Sequence, residues 1–477
     1  MASRNVVLLI VFFTLLRLAV APWFGLGVDE AHYVLYAHHL DWSYVDHPPL
    51  VGWVHALFLT AFGDSVLSAR LPAVFLMAYV SWECYRFLNQ IGVNENEAFW
   101  GVAALNSSFM FGAIGLMLLP ENLLLVFVFP LMRSVLRIEE HRRMKDYVWL
   151  GFWLGILGLS KYTAVLLLIP LLVYVIVRRR LDLVLNPSIL LSALVALVMI
   201  SPVLYWNYTH GWISFLYQSS HVVGETSIHL KPFLKSLAAQ FGAYTPFLFP
   251  IALYGAYAAL RSQNRAILLA GLVGAGIGLF FIGTSLLKPV LPHWPAIFYL
   301  LFIPIGTVFL LKKRSQAQRY TRYAVVASFV LSLLVHAELG LKIGRFPDYK
   351  SPFRDIYGYA EVVRKGSELA ANIPSSKKAL AVTNWTHGSR LGYYARPYGI
   401  KTFVLDDYNR QFALWEKDNP LGYDLVIMQS HFIGSDTLRR LQCDSLSSLG
   451  SIDVTLNGGK VDTVDYYLCT DFKGMKP

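Results

Sequence analysis

Charge is what this sequence has little of: Asp, Glu, Lys and Arg make up 15 % of its 477 residues, against roughly 25 % in an average soluble domain. Hydrophobic residues supply 56 %. That balance excludes a disordered or fibrous chain, and it excludes one soluble globule. Cysteine is scarce as well, and three residues are too few for a disulfide scaffold. No P-loop, no Gly-rich dinucleotide fingerprint and no HExxH zinc motif occurs, so nucleotide-dependent chemistry has no support. The net charge of +11 and the pI near 9.3 would suit nucleic acid. The basic residues, however, sit mostly in short loops between apolar runs. That is the positive-inside pattern of membrane topology, and it argues against a nucleic-acid partner.

Long uncharged runs are what the sequence does have. Val6 to Trp23 reads as an uncleaved first span, although Ala19-Val20-Ala21 resembles a signal-peptide cleavage site. Residues 147–177 hold one charge, Lys161; a straight helix of that length would run about 46 Å, too long for a hydrocarbon core of about 30 Å. Basic clusters flank both ends (Arg142, Arg143 and Lys145 before, Arg178 to Arg180 after). The run must therefore go out and come back, leaving Lys161 at the far face. Residues 99–132 repeat the pattern with Glu121 beside Pro120.

Continued along the chain, this reasoning places spans near 6–24, 66–88, 98–118, 121–137, 147–160, 163–178, 188–206, 236–260, 266–285, 294–311 and 323–342. Its cytoplasmic turns include Lys312, Lys313, Arg314, Arg319 and Arg322. The N-terminus lies inside and the C-terminus outside. From about Lys342 the composition turns to dispersed charge, Gly and Pro, with strand-like runs Ala379–Thr383, Thr402–Leu405 and Leu425–Met428. The expected architecture is a multi-span α-helical membrane protein over residues 1–342, with about eleven transmembrane helices. A soluble α/β domain over 343–477 follows, outside the cytoplasm. Cys443 and Cys469 both fall there; a pair formed in an oxidising compartment and two reduced, buried thiols are equally consistent.

Polar residues gather in a few places. Val28-Asp29-Glu30-Ala31-His32-Tyr33 follows the first span, and Tyr44-Val45-Asp46-His47-Pro48-Pro49-Leu50 comes soon after. Tyr33, Tyr36, Ala37 and Leu40 suit a short amphipathic helix on the membrane surface. An isolated charge pair is usually a solvated loop. Here the topology puts Asp29, Glu30, Asp46, His47, Glu121, Lys161, Lys288 and His293 on one face, and charges at membrane depth tend to be functional. Lys161 either snorkels to water or binds phosphate as a compact point charge. In Lys288-Pro289-Val290-Leu291-Pro292-His293-Trp294-Pro295 the prolines stop the helices and Trp294 suits the interface. An ordinary interfacial turn, with His293 hydrogen-bonded at the surface, is the plainer account. A transporter of polyprenyl lipid or polysaccharide would put its ionisable residues midway along the spans; these sit at one face. A scaffold whose outer domain binds a partner is a third reading.

Asp29-Glu30-Ala31-His32-Tyr33, Asp46-His47-Pro48-Pro49, Pro120-Glu121, Ser160-Lys161-Tyr162-Thr163-Ala164 and Lys288-Pro289 with His293-Trp294-Pro295 together resemble the GT-C glycosyltransferases. Within these the chain resembles the family-39/ArnT-like branch, related to protein O-mannosyltransferases and lipid A aminoarabinose transferases. The resemblance covers about residues 5–310 and implies the GT-C fold, a polyprenyl-phosphate sugar donor, and a lipid or protein acceptor. It implies transfer at the outer face of a bacterial inner membrane, with the site and the C-terminal domain extracytoplasmic. Asp29 is then the catalytic base. Glu30, Asp46, His47, Glu121, Lys161, Tyr162, Lys288, His293 and Trp294 are the substrate-binding set, with Lys161, Lys288 and His47 on the phosphate. Asp46 and His293 resemble positions that hold a divalent metal, the one cofactor the resemblance raises. The chain departs from the pattern at His47, where the aminoarabinose transferases have Lys, and at Glu121, where Pro-Asp is usual.

Overall fold

The computed structural model describes residues 4–223, 227–313, 315–406, 410–432 and 436–476. Arg314, one of the basic residues expected in the last cytoplasmic turn, lies outside them. Helices fill the chain to Leu341: α1 (Arg4–Val20), α2 (Val28–His38), α3 (Leu50–Phe62), α4 (Val66–Gln90), α5 (Glu95–Asn106), α6 (Phe109–Ile114), α7 (Pro120–His141) and α8 (Met144–Ser160) come first. They are followed by α9 (Leu168–Val177), α10 (Ser188–Thr209), α11 (Ile213–Val223), α12 (Leu230–Ala243), α13 (Phe249–Leu260), α14 (Arg265–Ser285), α15 (Ala296–Leu311) and α16 (Ser315–Leu341).

The chain forms two compact units. The first comprises residues 1–19, 41–54 and 68–336; the second comprises 20–40, 55–67 and 337–477. Among the described residues, three helices are long and apolar enough to cross a membrane: Ser188–Thr209, Arg265–Ser285 and Gln316–Leu341. Along α10 the side chains of Leu190, Leu194 and Val198 are exposed, a surface that suits lipid and not water. Close approach of helices replaces hydrophobic drive where both alternatives are apolar. A Cβ on Gly255 of α13 would run into the Phe302 carbonyl of α15, so these helices meet backbone to backbone.

Two expected spans are each interrupted. Residues 98–118 split into α5 and α6 at Ser107, whose hydroxyl turns back onto the Ala103 carbonyl (2.7 Å). Residues 236–260 split into α12 and α13, where Pro246 offers no N–H and Thr245 sits at φ 60°. The stretch Leu50–Phe62 is a further short apolar helix that the span count left out.

In the second unit, α17 (Tyr359–Ala371) and α18 (Trp385–Ala395) pack on a sheet of strands β1 (Lys378–Val382), β2 (Lys401–Val404) and β3 (Asp424–Ser430). A short α19 (Arg410–Trp415) precedes β3. After it come β4 (Leu441–Gln442), β5 (Ser445–Leu456), β6 (Gly459–Thr470) and β7 (Gly474–Met475). The five-stranded sheet runs β2-β1-β3-β6-β5, parallel among the first three and antiparallel thereafter. Leu380, Val382, Val426 and Met428 enter one core under α17 and α18; Ala379, Ala381, Leu425 and Ile427 enter another on the opposite face. Burial on both faces is why these strands read as continuous apolar runs. Cys443 and Cys469 are joined in a disulfide with Cα atoms 5.4 Å apart.

Candidate active site

The short link between α7 and α8 makes them an antiparallel pair, so the start of α7 and the end of α8 lie at the same end. Pro120 opens α7 with its fixed φ. Asn122 fastens that start: its side chain accepts from Leu119 N (2.9 Å) and donates to the Ile114 carbonyl. Glu121 therefore stands in the first turn of α7, where a helix favours negative charge. Lys161 ends α8, with an extended backbone, where a helix favours positive charge.

The two meet. Lys161 Nζ donates to Glu121 Oε1 in an ion pair, with Lys161 7 % and Glu121 3 % exposed. His293, on the link between α14 and α15, brings Nε2 to 3.6 Å from the same oxygen. Trp294 turns its ring toward the ammonium, 5.9 Å from centroid to Nζ. Lys288 lies half-buried on the same link.

The segment 41–49 reaches this group from α10 and α11. Trp206 Nε1 donates to Asp41 Oδ2 (2.7 Å), Ser214 Oγ to the Tyr44 carbonyl (2.9 Å) and Gln218 Nε2 to the Asp46 carbonyl (2.8 Å). Tyr162 hydroxyl bonds Ser43 Oγ at 3.0 Å. His47 Nε2 lies 3.9 Å from Asp46 Oδ2, within electrostatic reach of Glu121. Asp46, His47, Glu121, Lys161, Tyr162, His293 and Trp294 thus gather in the first unit. Asp46 and His293 are not joined by a third donor: among the described residues no three His, Cys, Asp or Glu side chains are grouped to hold a metal.

Asp29 and Glu30 belong to the second unit. Helix α2 begins at Val28, so both lie in its first turn, Asp29 half-buried and Glu30 buried. Glu30 Oε2 accepts from Gly27 N (3.3 Å), closing the helix start. Residues Glu30 to Tyr36 are all buried. The helix therefore lacks the solvated face expected of a surface amphipathic helix, because α18 covers it.

Its support comes from the far end of the chain. Gly25 N donates to the Ile356 carbonyl (2.8 Å), Leu26 N to Tyr394 hydroxyl (2.8 Å) and Val28 N to Asp355 Oδ2 (3.2 Å). A side chain at position 25 would strike Ile356 O and Tyr394 hydroxyl, so only glycine allows this approach. Arg390 clamps Asp355 through both its carbonyl (2.7 Å) and its carboxylate (3.2 Å). Arg390 also donates to His387 Nδ1 (2.9 Å), whose ring stacks on Tyr359 at 5.5 Å. His32 Nδ1 lies 2.9 Å from Ser389 Oγ. The sequence does not single out Tyr394, Asp355 and Arg390, since nothing local to them signals a partner so distant in the chain.

Beside α2, the same unit contains a cavity of about 540 Å³ lined by His38, His39, Arg396, Lys401, Phe412 and Trp415, among others. Its cations are already paired: Arg396 with Asp64, and Lys401 with Glu416 and Asp418. His39 stacks on Trp415 at 4.8 Å.

Two expectations follow. Glu121→Ala should leave Lys161 as an uncompensated buried cation and cost about 3–5 kcal/mol, whereas Glu121→Ala with Lys161→Met should recover much of that loss. Thermal unfolding of the two variants in one detergent makes the comparison. The second concerns acid. Burial, then the Arg390 charge, hold His387 down to about 3 from its ordinary 6.5, so the folded unit disfavours its protonation. The stability from this depression is complete above the unfolded value and is lost as pH falls below it. The loss is about 1.4 kcal/mol for each unit of pH until the folded value is reached. The protection factors of α2 and α18, with exchange taken relative to the intrinsic rate at each pH, should therefore fall between about pH 6.5 and pH 4.5, and His387→Asn should flatten that fall.

The family model of dolichyl-phosphate-mannose-protein mannosyltransferases matches residues 46–206. A lipid A galacturonosyltransferase of Rhizobium johnstonii is 24 % identical over 277 residues, covering 55 % of this chain and 56 % of that protein; the match thus spans little more than half of the relative's length. The structure of ArnT from Cupriavidus metallidurans bound to undecaprenyl phosphate superposes with a TM-score of 0.67 at 16 % identity, covering 98 % of each chain. The apo state of that protein gives a TM-score of 0.64, also at 16 % identity, covering 97 % of each chain.

Proposed function

We propose that this chain, a GT-C protein of the family-39, ArnT-like kind, is an inverting glycosyltransferase using a polyprenyl-phosphate sugar of the undecaprenyl type. The observation that carries the reading is the buried Lys161–Glu121 pair, with half-buried His293 and His47 beside it, at one end of the helices. A cation held in place by its own carboxylate is ready for a phosphate without ever being buried alone.

On this reading Asp29 takes the proton of an acceptor hydroxyl as its oxygen attacks the sugar C1. The bond from C1 to the phosphate oxygen breaks, its electron pair stays on the phosphate, and polyprenyl phosphate leaves. The leaving phosphate gains negative charge as the bond breaks; Lys161, with His47, His293 and Lys288, opposes that charge in a dry setting where fixed cations act strongly. Glu121 orients Lys161 as well as sugar hydroxyls. Glu30 supports the helix start that carries Asp29. Tyr162, Asp46 and Trp294 complete the donor's surroundings. No step passes through a metal, for which Asp46 and His293 supply too few donors.

The eleven spans expected from the sequence are part of this proposal. So are a membrane-embedded part over 1–342 and an extracytoplasmic part over 343–477 in a bacterial inner membrane. The Cys443–Cys469 disulfide supports that side for the sheet unit, since such bonds persist in oxidising compartments. The acceptor is a lipid-linked saccharide of the lipid A or core class, a reading favoured by the lipid A relative. The cavity beside α2, with its aromatic rings and already-paired charges, suits such hydroxyl-rich headgroups.

The test is release of polyprenyl phosphate from a panel of polyprenyl-phosphate sugars by the full chain in liposomes, with envelope lipids as acceptors. One donor should be consumed. Asp29→Asn should lower the rate by about 10²–10⁴-fold with expression unchanged, and Lys161→Ala should chiefly raise the donor KM. Undiminished release by Asp29→Asn removes it as the base; no release from any donor by folded protein sinks the reading.

A further inference from the structure

The α7–α8 pair also has an opposite end. Arg137 stands about 24 Å along α7 from Glu121 at 1.5 Å per residue, close to the distance across a hydrocarbon core. There a cavity of about 270 Å³ opens between α4, α7 and α8, lined by Tyr79, Arg86, Arg133, Arg137, Trp149 and Trp153 with Pro130 and Ser134. All of it lies within the first unit.

The charges do not balance. Glu83, fully buried beneath the cavity, accepts from Arg86 (2.9 Å) and pairs with Arg133. One carboxylate thus serves two guanidiniums. Arg137, exposed at the rim, has no carboxylate partner among the described residues. The cavity keeps a surplus of positive charge in the form that fits phosphate oxygens two at a time. Its other wall is aromatic: Trp149 and Trp153 stack at 5.5 Å, with Trp149 half exposed. Trp149 lies in the second turn of α8, the depth at which an indole ring favours a membrane interface, and Trp153 stands one turn further in. Along α4 toward the core, Phe75 is exposed and apolar.

We infer that this cavity binds the headgroup phosphodiester of an anionic phospholipid, its acyl chains running along Phe75. A soluble anion would leave the aromatic wall and the apolar flank unused. A zwitterionic lipid would bring a second cation toward three arginines. The site is separate from the proposed transfer chemistry, and its failure would leave that chemistry untouched.

Purified full chain in neutral detergent, offered dioleoylphosphatidylglycerol or dioleoylphosphatidylcholine, tests this by native mass spectrometry of the retained lipid. The anionic lipid should be retained in preference. Arg137→Gln should weaken its retention about fivefold, as expected for one interfacial cation, and Arg137→Lys should keep most of it. Arg137 is exposed and has no carboxylate partner among the described residues, so the glutamine variant should unfold at the parent temperature and release polyprenyl phosphate at the parent rate. Equal retention of the two lipids, or unchanged retention by Arg137→Gln, overturns the inference. Displacement of the lipid by millimolar inorganic phosphate overturns it too, since the ligand would then be a free anion.

Discussion

A backbone surrounded by lipid must satisfy its own N–H and C=O groups, so a span stays helical until it reaches a polar boundary. Charged side chains are pushed to the same boundary by the cost of burying them. The chemistry of the first unit is arranged by these two costs. Glu121 begins a helix, Lys161 ends the next, and His293 occupies the link between two more. Each helix end brings a partial charge opposite to that of the side chain it carries, for Glu121 and Lys161 alike. Once the helices pack, the pair forms without any loop having to search for it.

This part of the structure was legible because length and charge are one-dimensional. A lone charge within a long apolar run marks a break in the run, and Glu121 and Lys161 do stand at helix ends. The strands β1, β2 and β3 were legible for a related reason, as short apolar runs buried on both faces. What the run lengths could not convey was pairing. The sequence places Lys161 on the phosphate and Glu121 in the substrate-binding set; that each already holds the other depends on how α7 and α8 pack.

The long hairpin of β5 and β6 is hard to read from the sequence although its turn carries a strong signal. Asn457-Gly458 both take positive φ, as a two-residue hairpin turn of the mirrored kind requires. The flanking strand β5 is an exposed, Ser-rich edge, so the alternation that would have framed the turn is missing. The support of α2 was illegible for another reason. Tyr394, Asp355 and Arg390 are ordinary residues of a soluble sheet unit, and no local pattern announces that they grip a helix near the N-terminus. The two interrupted spans show the limit of hydropathy itself, which does not register a serine turning back on its own helix or a proline between two apolar halves.

The assembly of the second unit from early and late stretches of chain bears on how the protein is made. Leu26 and Tyr394, joined by one hydrogen bond, are separated by 368 positions, a gap a ribosome needs roughly 20–70 s to bridge at ordinary elongation rates. Through that interval α2 has emerged with seven successive residues ready for burial and nothing to bury them against. The nascent helix must be sheltered by the bilayer surface, by a chaperone or by insertion machinery. A ribosome that stops early leaves a product in which Asp29 is never fixed in place. Residues translated late, Asp355 and Tyr394 among them, thus decide whether the helix that carries Asp29 is set.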